Sequence, residues 1–137
     1  MTTAAFSLST VRLNFARAVT LASGLNYTFA GIALIFAPEW FFANIGNYAP
    51  YNRHYMGDAG TFTLPVGIAL LWAVSDPHRY RIVLWINAGL SVMHALNHLY
   101  DDLSAGILGG QTIGLLVMGV ATLAVALIQL PQRESHR

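Results

Sequence analysis

Residues 104–130 read SAGILGGQTIGLLVMGVATLAVALIQL and carry no charged side chain in 27 positions. A helix needs about 20 predominantly apolar residues to cross the hydrocarbon core of a bilayer, which is about 30 Å thick. Inside that core a chain must satisfy its own backbone N–H and C=O groups, and a helix does so without any neighbouring strand. This stretch therefore predicts a membrane-spanning helix.

Three further apolar stretches have a comparable length, and each is followed closely by proline or acidic residues. A proline just beyond an apolar run ends a helix without breaking it, whereas Pro65, which lies inside one run, is expected to kink it. We predict an all-α fold, an integral membrane four-helix bundle forming one domain over residues 1–137, with spans near 18–37, 55–74, 82–100 and 104–130.

The composition of the whole chain agrees with a membrane protein. Of the 137 residues, 55% are hydrophobic and only 9% are charged, whereas a soluble domain has about 25% charged residues. The net charge of +1 comes with no basic block, which argues against nucleic acid as a partner. The absence of cysteine excludes disulfides, thiolate catalysis and cysteine-based metal centres.

The arginines predict the orientation, because cytoplasmic loops of membrane proteins are enriched in basic residues. Six of the seven fall on one predicted side, and they are Arg12, Arg17, Arg79, Arg81, Arg133 and Arg137. The other side carries Arg53 together with Glu39, Asp101 and Asp102. We therefore expect both termini in the cytoplasm and a multi-pass protein of the plasma membrane, the inner membrane of a bacterial cell. The first span lacks the features of a removable signal peptide.

The longest connection, residues 39–52, lies on the non-cytoplasmic side and is rich in aromatic residues. Amphipathic rings collect at the level of the lipid headgroups. We interpret this segment as an interfacial helix or re-entrant turn over the bundle, with an aromatic belt as the simpler reading. Its aromatic residues are Trp40, Phe41, Phe42, Tyr48 and Tyr51.

Ionisable side chains converge at the same predicted end. His54 and Asp58 are four residues apart, as are His94 and His98, so each pair shares one face of a helix. Because consecutive spans run antiparallel, the start of the second span and the end of the third meet on the non-cytoplasmic side, which Glu39 and Gln111 share.

The third span carries a polar stripe that lipid would not accept, so we expect it to face the bundle interior or a wet cavity. Its members are Asn87, Ser91, His94, His98 and Asp101. On the second span, His54, Asp58 and Thr61 form a shorter stripe. We expect the two stripes to face each other.

Three imidazoles and a carboxylate are typical ligands of zinc, iron or copper. We predict a divalent transition-metal site whose ligands are His54, Asp58, His94 and His98. Asp58 and Asp101 are candidate catalytic bases. Residues expected around the site or its cavity are Glu39, Asn87, Ser91, Asp101, Asp102 and Gln111. A metal-free hydrogen-bond network and a proton or ligand pathway are the alternatives. Haem is not favoured, since two histidines on one helix cannot be opposite axial ligands.

Three glycines at a spacing of four, Gly106, Gly110 and Gly114, match the small-xxx-small pattern of closely packed membrane helices. We expect them to pack within the bundle against a face of small residues on the first span. The alternative is a second copy of the chain or another membrane partner. Membrane lipids are expected partners in either case.

At residues 52–60, Asn-Arg-His-Tyr-Met-Gly-Asp-Ala-Gly, the sequence resembles a group of small four-helix membrane proteins that are common in actinobacteria. Members have Asn-x-His-x-x-x-Asp-x-Gly at the second helix and a histidine pair four apart on the third, here His94 and His98. The resemblance covers about residues 38–102 and implies the four-helix fold without implying a reaction. In size and topology the chain is also loosely similar to DoxX-like integral membrane proteins.

The predicted ligand set is similar, by chemical analogy alone, to that of the zinc hydrolase superfamily containing alkaline ceramidases. That family has seven spans and further motif residues that this chain lacks. The function expected from the sequence is a metal-dependent enzyme acting on a small or lipid-like molecule. Two alternatives are an accessory or assembly subunit of a membrane complex and a carrier or proton conduit.

Overall fold

The computed structural model of the protein describes residues 2–46 and 49–128, and these residues form five helices and no strands. The helices are α1 (Thr2–Phe36), α2 (Pro38–Asn44), α3 (Arg53–Ala73), α4 (Arg81–Ser104) and α5 (Gly110–Leu127). Four of them, α1 from Leu8 onward together with α3, α4 and α5, are long and apolar enough to cross a membrane. The chain therefore has the helices expected of a multi-pass membrane protein.

The largest difference from the predicted helix boundaries is at the start of α1, which begins at Thr2 and not near residue 18. The boundaries also differ between α4 and α5. Helix α4 continues to Ser104, and α5 begins only at Gly110. Gly106 has a φ of +70° and donates to the carbonyl of Leu103, while Ile107 donates to the carbonyl of Asp102. This pair of bonds around a left-handed residue is the Schellman ending of a helix, and glycine adopts that conformation without steric cost. Gly106 thus belongs to a turn and not to a helix.

Helices α1 and α3 pack closely and antiparallel to each other, and glycines are the reason. A Cβ at Gly31 would lie 2.6 Å from the backbone nitrogen of Leu64, and one at Gly60 would lie 3.0 Å from the carbonyl oxygen of Gly31. Gly24 and Gly67 approach the facing helix in the same way. Small residues let two membrane helices bring their backbones together, which gains dispersion energy that lipid cannot replace.

Helices α4 and α5 form the second antiparallel pair, and few contacts join α3 to α4. In each pair, one arginine side chain donates a hydrogen bond to a backbone carbonyl at the end remote from α2. Arg17 of α1 donates to the carbonyl of Ser75, just after α3. Arg81 of α4 donates to the carbonyl of Ala126 in α5. A guanidinium near the end of a helix satisfies carbonyls that have no partner within the helix.

The two pairs meet in an apolar cluster of Ala16, Leu84 and Val125, with Val19 and Ile128 packed against it. This cluster lies at the end of the molecule opposite to α2. Here "α2 end" denotes the end at which α1 and α4 finish and α3 and α5 begin, and "opposite end" denotes the other. Arg12, Arg17, Arg79 and Arg81 are at the opposite end, while Arg133 and Arg137 lie outside the described residues.

Aromatic contacts hold α2 against the rest of the molecule. The rings of Phe29 in α1 and Trp40 in α2 meet edge to face with centroids 6.2 Å apart. Phe42 and Tyr51 form a second such contact at 5.2 Å. Edge-to-face pairs of this kind stabilise a contact beyond the area they bury. Tyr48, which the sequence assigns to the same belt, lies outside the described residues.

Adding one methyl group at Gly31 should separate α1 from α3. We expect Gly31→Ala to lower the free energy of unfolding by about 1–3 kcal/mol, because its Cβ would overlap the backbone of α3. Gly114→Ala is the matched control, since a Cβ there meets no atom within 4 Å, and alanine favours a helix interior by about 1 kcal/mol over glycine. Thermal unfolding of both variants in one detergent measures the difference, and equal stabilities would contradict the proposed helix contact.

Candidate functional site

A pocket of about 380 Å³ lies between the two helix pairs on the side of the α2 end. Its wall is mostly apolar and contains a small number of polar groups, as in most ligand-binding cavities. The polar members of the wall are Ser23, Asn26, Tyr27, Asn52, Tyr55, Thr63, Ser91, His94, His98 and Gln111. All five helices or their ends contribute to the wall, so the packing of the two pairs determines its shape.

Three hydroxyl groups line the part of the pocket farthest from α2. The hydroxyls of Tyr27 and Ser91 share a hydrogen bond of 3.3 Å, and Ser91 donates to Oδ1 of Asn87 at 3.4 Å. Ser23 donates to the sulfur of Met118 at 3.6 Å. The bond between Tyr27 and Ser91 and the bond from Ser23 to Met118 join one helix pair to the other across the pocket, whereas the bond from Ser91 to Asn87 lies within α4. They form a polar floor, which we define as Ser23, Tyr27 and Ser91.

His94 and His98 lie together in the wall nearer to the α2 end. Their ring centroids are 4.8 Å apart, and the ring planes are inclined by 64°. His98 is buried, with 6% of its surface exposed, and His94 is more exposed. The spacing of four residues places both imidazoles on the same face of α4. Of the predicted stripe on this helix, Asn87 and Ser91 are also buried.

His54 and Asp58 are placed elsewhere. They face each other with 3.4 Å between Nε2 and Oδ2, and their side chains are 90% and 59% exposed. Neither residue lines the pocket. Thr61, the third member of the stripe predicted on this helix, is exposed as well and donates to the carbonyl of Asp58. The two polar stripes therefore do not face each other.

The rotation of α3 about its axis explains this difference. Gly60 must face α1, because the backbone of α1 leaves no room there for a side chain. Residues two positions apart on a helix point about 200° apart. Asp58 is therefore turned to the far side of α3 as soon as Gly60 packs against α1.

The predicted metal ligands are consequently not assembled in one place. Among the residues that the structure describes, no group of three or more histidine and acidic side chains is close enough to hold one ion. Of the four predicted ligands, His94 and His98 line the pocket. Two imidazoles are one ligand short of the three that catalytic zinc sites take from a protein.

The other residues predicted around the site have separate positions. Glu39 lies in the first turn of α2 and is exposed, Asp101 is half-buried near the end of α4, and Gln111 lines the pocket. The carboxylate of Asp102 accepts a hydrogen bond of 2.7 Å from the backbone N–H of Gly109, the residue before α5. Asp102 thus stabilises the turn between α4 and α5 and is not a pocket residue.

The predicted glycine row makes no helix contact within the described chain. A Cβ at Gly106, Gly110 or Gly114 would meet nothing within 4 Å. Close helix approach occurs instead between α1 and α3, and on α5 it is Gly119 that lies near the backbone of Ser91 and Val92. Gly110 and Gly114 therefore lie on the face of α5 that is turned away from the other helices, and Gly106 lies in the turn before α5.

The sequence reasoning missed Tyr27, Thr63 and Met118 as pocket residues. Tyr27 did carry a usable signal, since a tyrosine in the middle of an apolar span needs a hydrogen-bond partner for its hydroxyl. Thr63 and Met118 carried none, because threonine in a helix commonly bonds its own backbone and methionine fills apolar space. Thr63 indeed donates to the carbonyl of Ala59.

The motif that carries the family resemblance has a structural account in this chain. Asn52 precedes α3, and its side chain accepts a hydrogen bond from the backbone N–H of Tyr55, which caps the helix. Gly60 provides the contact with α1, and His54 and Asp58 pair on the exposed face.

Comparison of the chain with protein-family models, with curated proteins and with solved structures gave no match. The functional inference therefore rests on the pocket and on the side chains that converge there.

Proposed function

We propose that this chain is a plasma-membrane protein that takes up a small, largely apolar molecule from the bilayer and presents it to His94 and His98. The observation that carries the proposal is the convergence of Tyr27, Ser91, His94 and His98 in one largely apolar cavity of about 380 Å³. A cavity of 300–1,000 Å³ with a few convergent polar groups is typical of small-molecule sites.

The two imidazoles supply the chemistry that such a site offers. Imidazole can give or take a proton near neutral pH, so His94 and His98 are the candidate acid and base toward a bound molecule. The hydroxyls of Tyr27 and Ser91 would orient the polar part of that molecule.

The apolar cluster of Ala16, Leu84 and Val125 favours uptake from the α2 end over passage through the protein. All three residues are nearly inaccessible, and they separate the polar floor from the opposite end. A carrier or proton conduit would need polar side chains or water at that position. An assembly subunit is the remaining alternative, and it would use the exposed row of Gly110 and Gly114.

Filling the pocket should remove the bound molecule. Ala30 lines the pocket, whereas Ala22 on the same helix is exposed outside it. We expect a small molecule to copurify with the wild type and with Ala22→Phe in polymer-bounded native membrane discs, and to be depleted from Ala30→Phe. Mass spectrometry of the extracted discs measures this, using bulk lipid as the reference. Equal amounts of every extracted molecule in both variants would refute the proposal.

The four long helices are proposed to form a bundle whose α2 end faces away from the cytoplasm. The support is the arginine distribution, because basic residues remain on the cytoplasmic side of membrane proteins. In this orientation α2 lies at the outer interface, where its aromatic side chains are favoured.

Cysteine labelling tests that orientation cleanly, since the chain has no cysteine of its own. Ser104 lies at the α2 end and Ser75 at the opposite end, and both are exposed. We expect an impermeant maleimide to label Ser104→Cys in intact cells and to label Ser75→Cys only after permeabilisation. The reverse pattern would invert the proposed topology.

A transition metal held by His94 and His98 is the second candidate, favoured by the 4.8 Å approach of the two rings. These side chains would provide two imidazole ligands, and water or the bound molecule would complete the coordination. A bound metal would act as a Lewis acid and lower the pKa of a bound water.

Metal content after loading and desalting tests this candidate with zinc, copper and iron in turn. We expect the wild type and a His54→Ala/Asp58→Ala variant to retain about one ion, since His54 and Asp58 lie outside the pocket, and a His94→Ala/His98→Ala variant to retain none. Loss in both variants would instead support the four-ligand site predicted from the sequence. No retained ion in the wild type would exclude the metal candidate.

A further inference from the structure

The pocket has a polarity opposite to that of the surrounding lipid leaflet. Its polar floor lies deep in the molecule: Ser91 is thirteen residues from the end of α4 at Ser104, which corresponds to about 20 Å along the helix. Ser23 is equally far from the end of α1 at Phe36. The hydroxyls therefore lie at the depth where lipid offers only hydrocarbon.

The mouth of the pocket, at the α2 end, is largely aromatic and apolar. Phe41, Phe42, Ile45 and Tyr55 line it. The polar residues at this end are Asn52, Tyr55 and Gln111, and Oδ1 of Asn52 is engaged as the cap of α3. The wall around them is largely apolar, so it favours a molecule with its apolar part near α2 and its polar group at the floor.

The floor has hydrogen-bonding capacity to spare. Each hydroxyl can donate one bond and accept two. The bond between Tyr27 and Ser91 is 3.3 Å and the bond from Ser91 to Asn87 is 3.4 Å, whereas a strong O–H···O bond is about 2.7–2.8 Å long. A polar ligand atom that bridges the Tyr27 and Ser91 hydroxyls from the side of the pocket would make shorter bonds to both.

The described wall of the pocket contains no aspartate, glutamate, lysine or arginine. Burying an ionised group without an opposite charge is far more costly than burying a hydroxyl or carbonyl that finds hydrogen-bond partners. The histidines of the wall, His94 and His98, both lie above the floor. The wall thus selects a neutral polar group.

The dimensions limit the ligand to one chain. Ser23 and Leu34 both line the pocket and are eleven residues apart in α1, so the pocket extends about 16 Å along that helix. A volume of about 380 Å³ is that of about a dozen water molecules, since each takes about 30 Å³ in the liquid. A lipid with two long acyl chains contains several times as many non-hydrogen atoms and does not fit as a whole.

We propose that the pocket takes a neutral single-chain amphiphile of about a dozen non-hydrogen atoms, and that this molecule enters with its polar group first. The polar group, a hydroxyl or carbonyl, binds between Tyr27 and Ser91, passing His98 and His94 on its way in. This inference rests on the proposed function and specifies its ligand. A two-chain phospholipid is excluded by the volume of the pocket, and its charged headgroup by the uncharged floor.

The experiment uses the full-length protein in nanodiscs of palmitoyl-oleoyl phosphatidylcholine and two photoreactive forms of 1-decanol. One carries a diazirine next to the hydroxyl, and the other carries it at the far end of the chain. We expect the first to label peptides containing Ser91 or Met118, and the second to label peptides containing Phe42 or Tyr55. The reverse pattern would overturn the head-first orientation.

Competition defines the ligand class. Unlabelled 1-decanol should suppress labelling, whereas decane, 1-decanesulfonate and decyltrimethylammonium should each compete about tenfold less well, as expected for one lost or unpaired polar interaction. A Tyr27→Phe/Ser91→Ala variant keeps the shape of the floor and should weaken decanol competition by about tenfold. Equal competition by a charged probe, or an unchanged double variant, would overturn the ligand class.

Ala30→Phe and Ala22→Phe separate the failure of this inference from failure of the proposed function. If labelling is lost only in Ala30→Phe but a charged probe competes best, the pocket binds a molecule and the neutral class is wrong. If labelling of wild type and Ala30→Phe is the same, the pocket is not the binding site, and both proposals are wrong.

Discussion

The close approach of α1 and α3 at Gly24, Gly31, Gly60 and Gly67 is the constraint on which the remaining structure depends. In a bilayer, burial of apolar side chains does not drive helices together, because lipid tails are equally apolar; contact between backbones does. Glycine permits that contact at one rotation of each helix only. Once this contact is made, the rotation of α3 about its axis is fixed. That rotation determines which of its residues line the pocket and which face outward.

The same constraint explains why polar residues of similar type have different roles. Asp58 and His54 are turned outward by the glycine face and pair with each other. Ser91, His94 and His98 are on α4, which has few contacts with α3 and packs instead on α5. The space left between one tightly packed helix pair and the other is the pocket. The candidate site is thus a consequence of unequal packing among four long helices, with most of its polar groups supplied by α1 and α4.

The sequence predicts the helices well and their rotation poorly. Apolar runs of about 20 residues are a direct requirement of the bilayer, so the four long helices follow from length and composition. Polar stripes show which face avoids lipid but not which neighbour that face meets. The spacing of His54 and Asp58 matches that of His94 and His98 and so predicts an interior position, but Gly60, two residues after Asp58, packs against α1 and turns Asp58 to the opposite face. Gly106 has the spacing of a packing glycine, yet it ends α4 with a φ of +70°. Spacing alone does not distinguish these two uses of glycine.

The apolar cluster of Ala16, Leu84 and Val125 has a consequence for exchange. A cavity closed at one end by close-packed side chains exchanges its contents through the rest of its wall. On the proposed function and orientation, its occupancy would follow the chemical potential of the ligand in one leaflet. Two membranes of equal total composition but different asymmetry would then fill this protein to different extents.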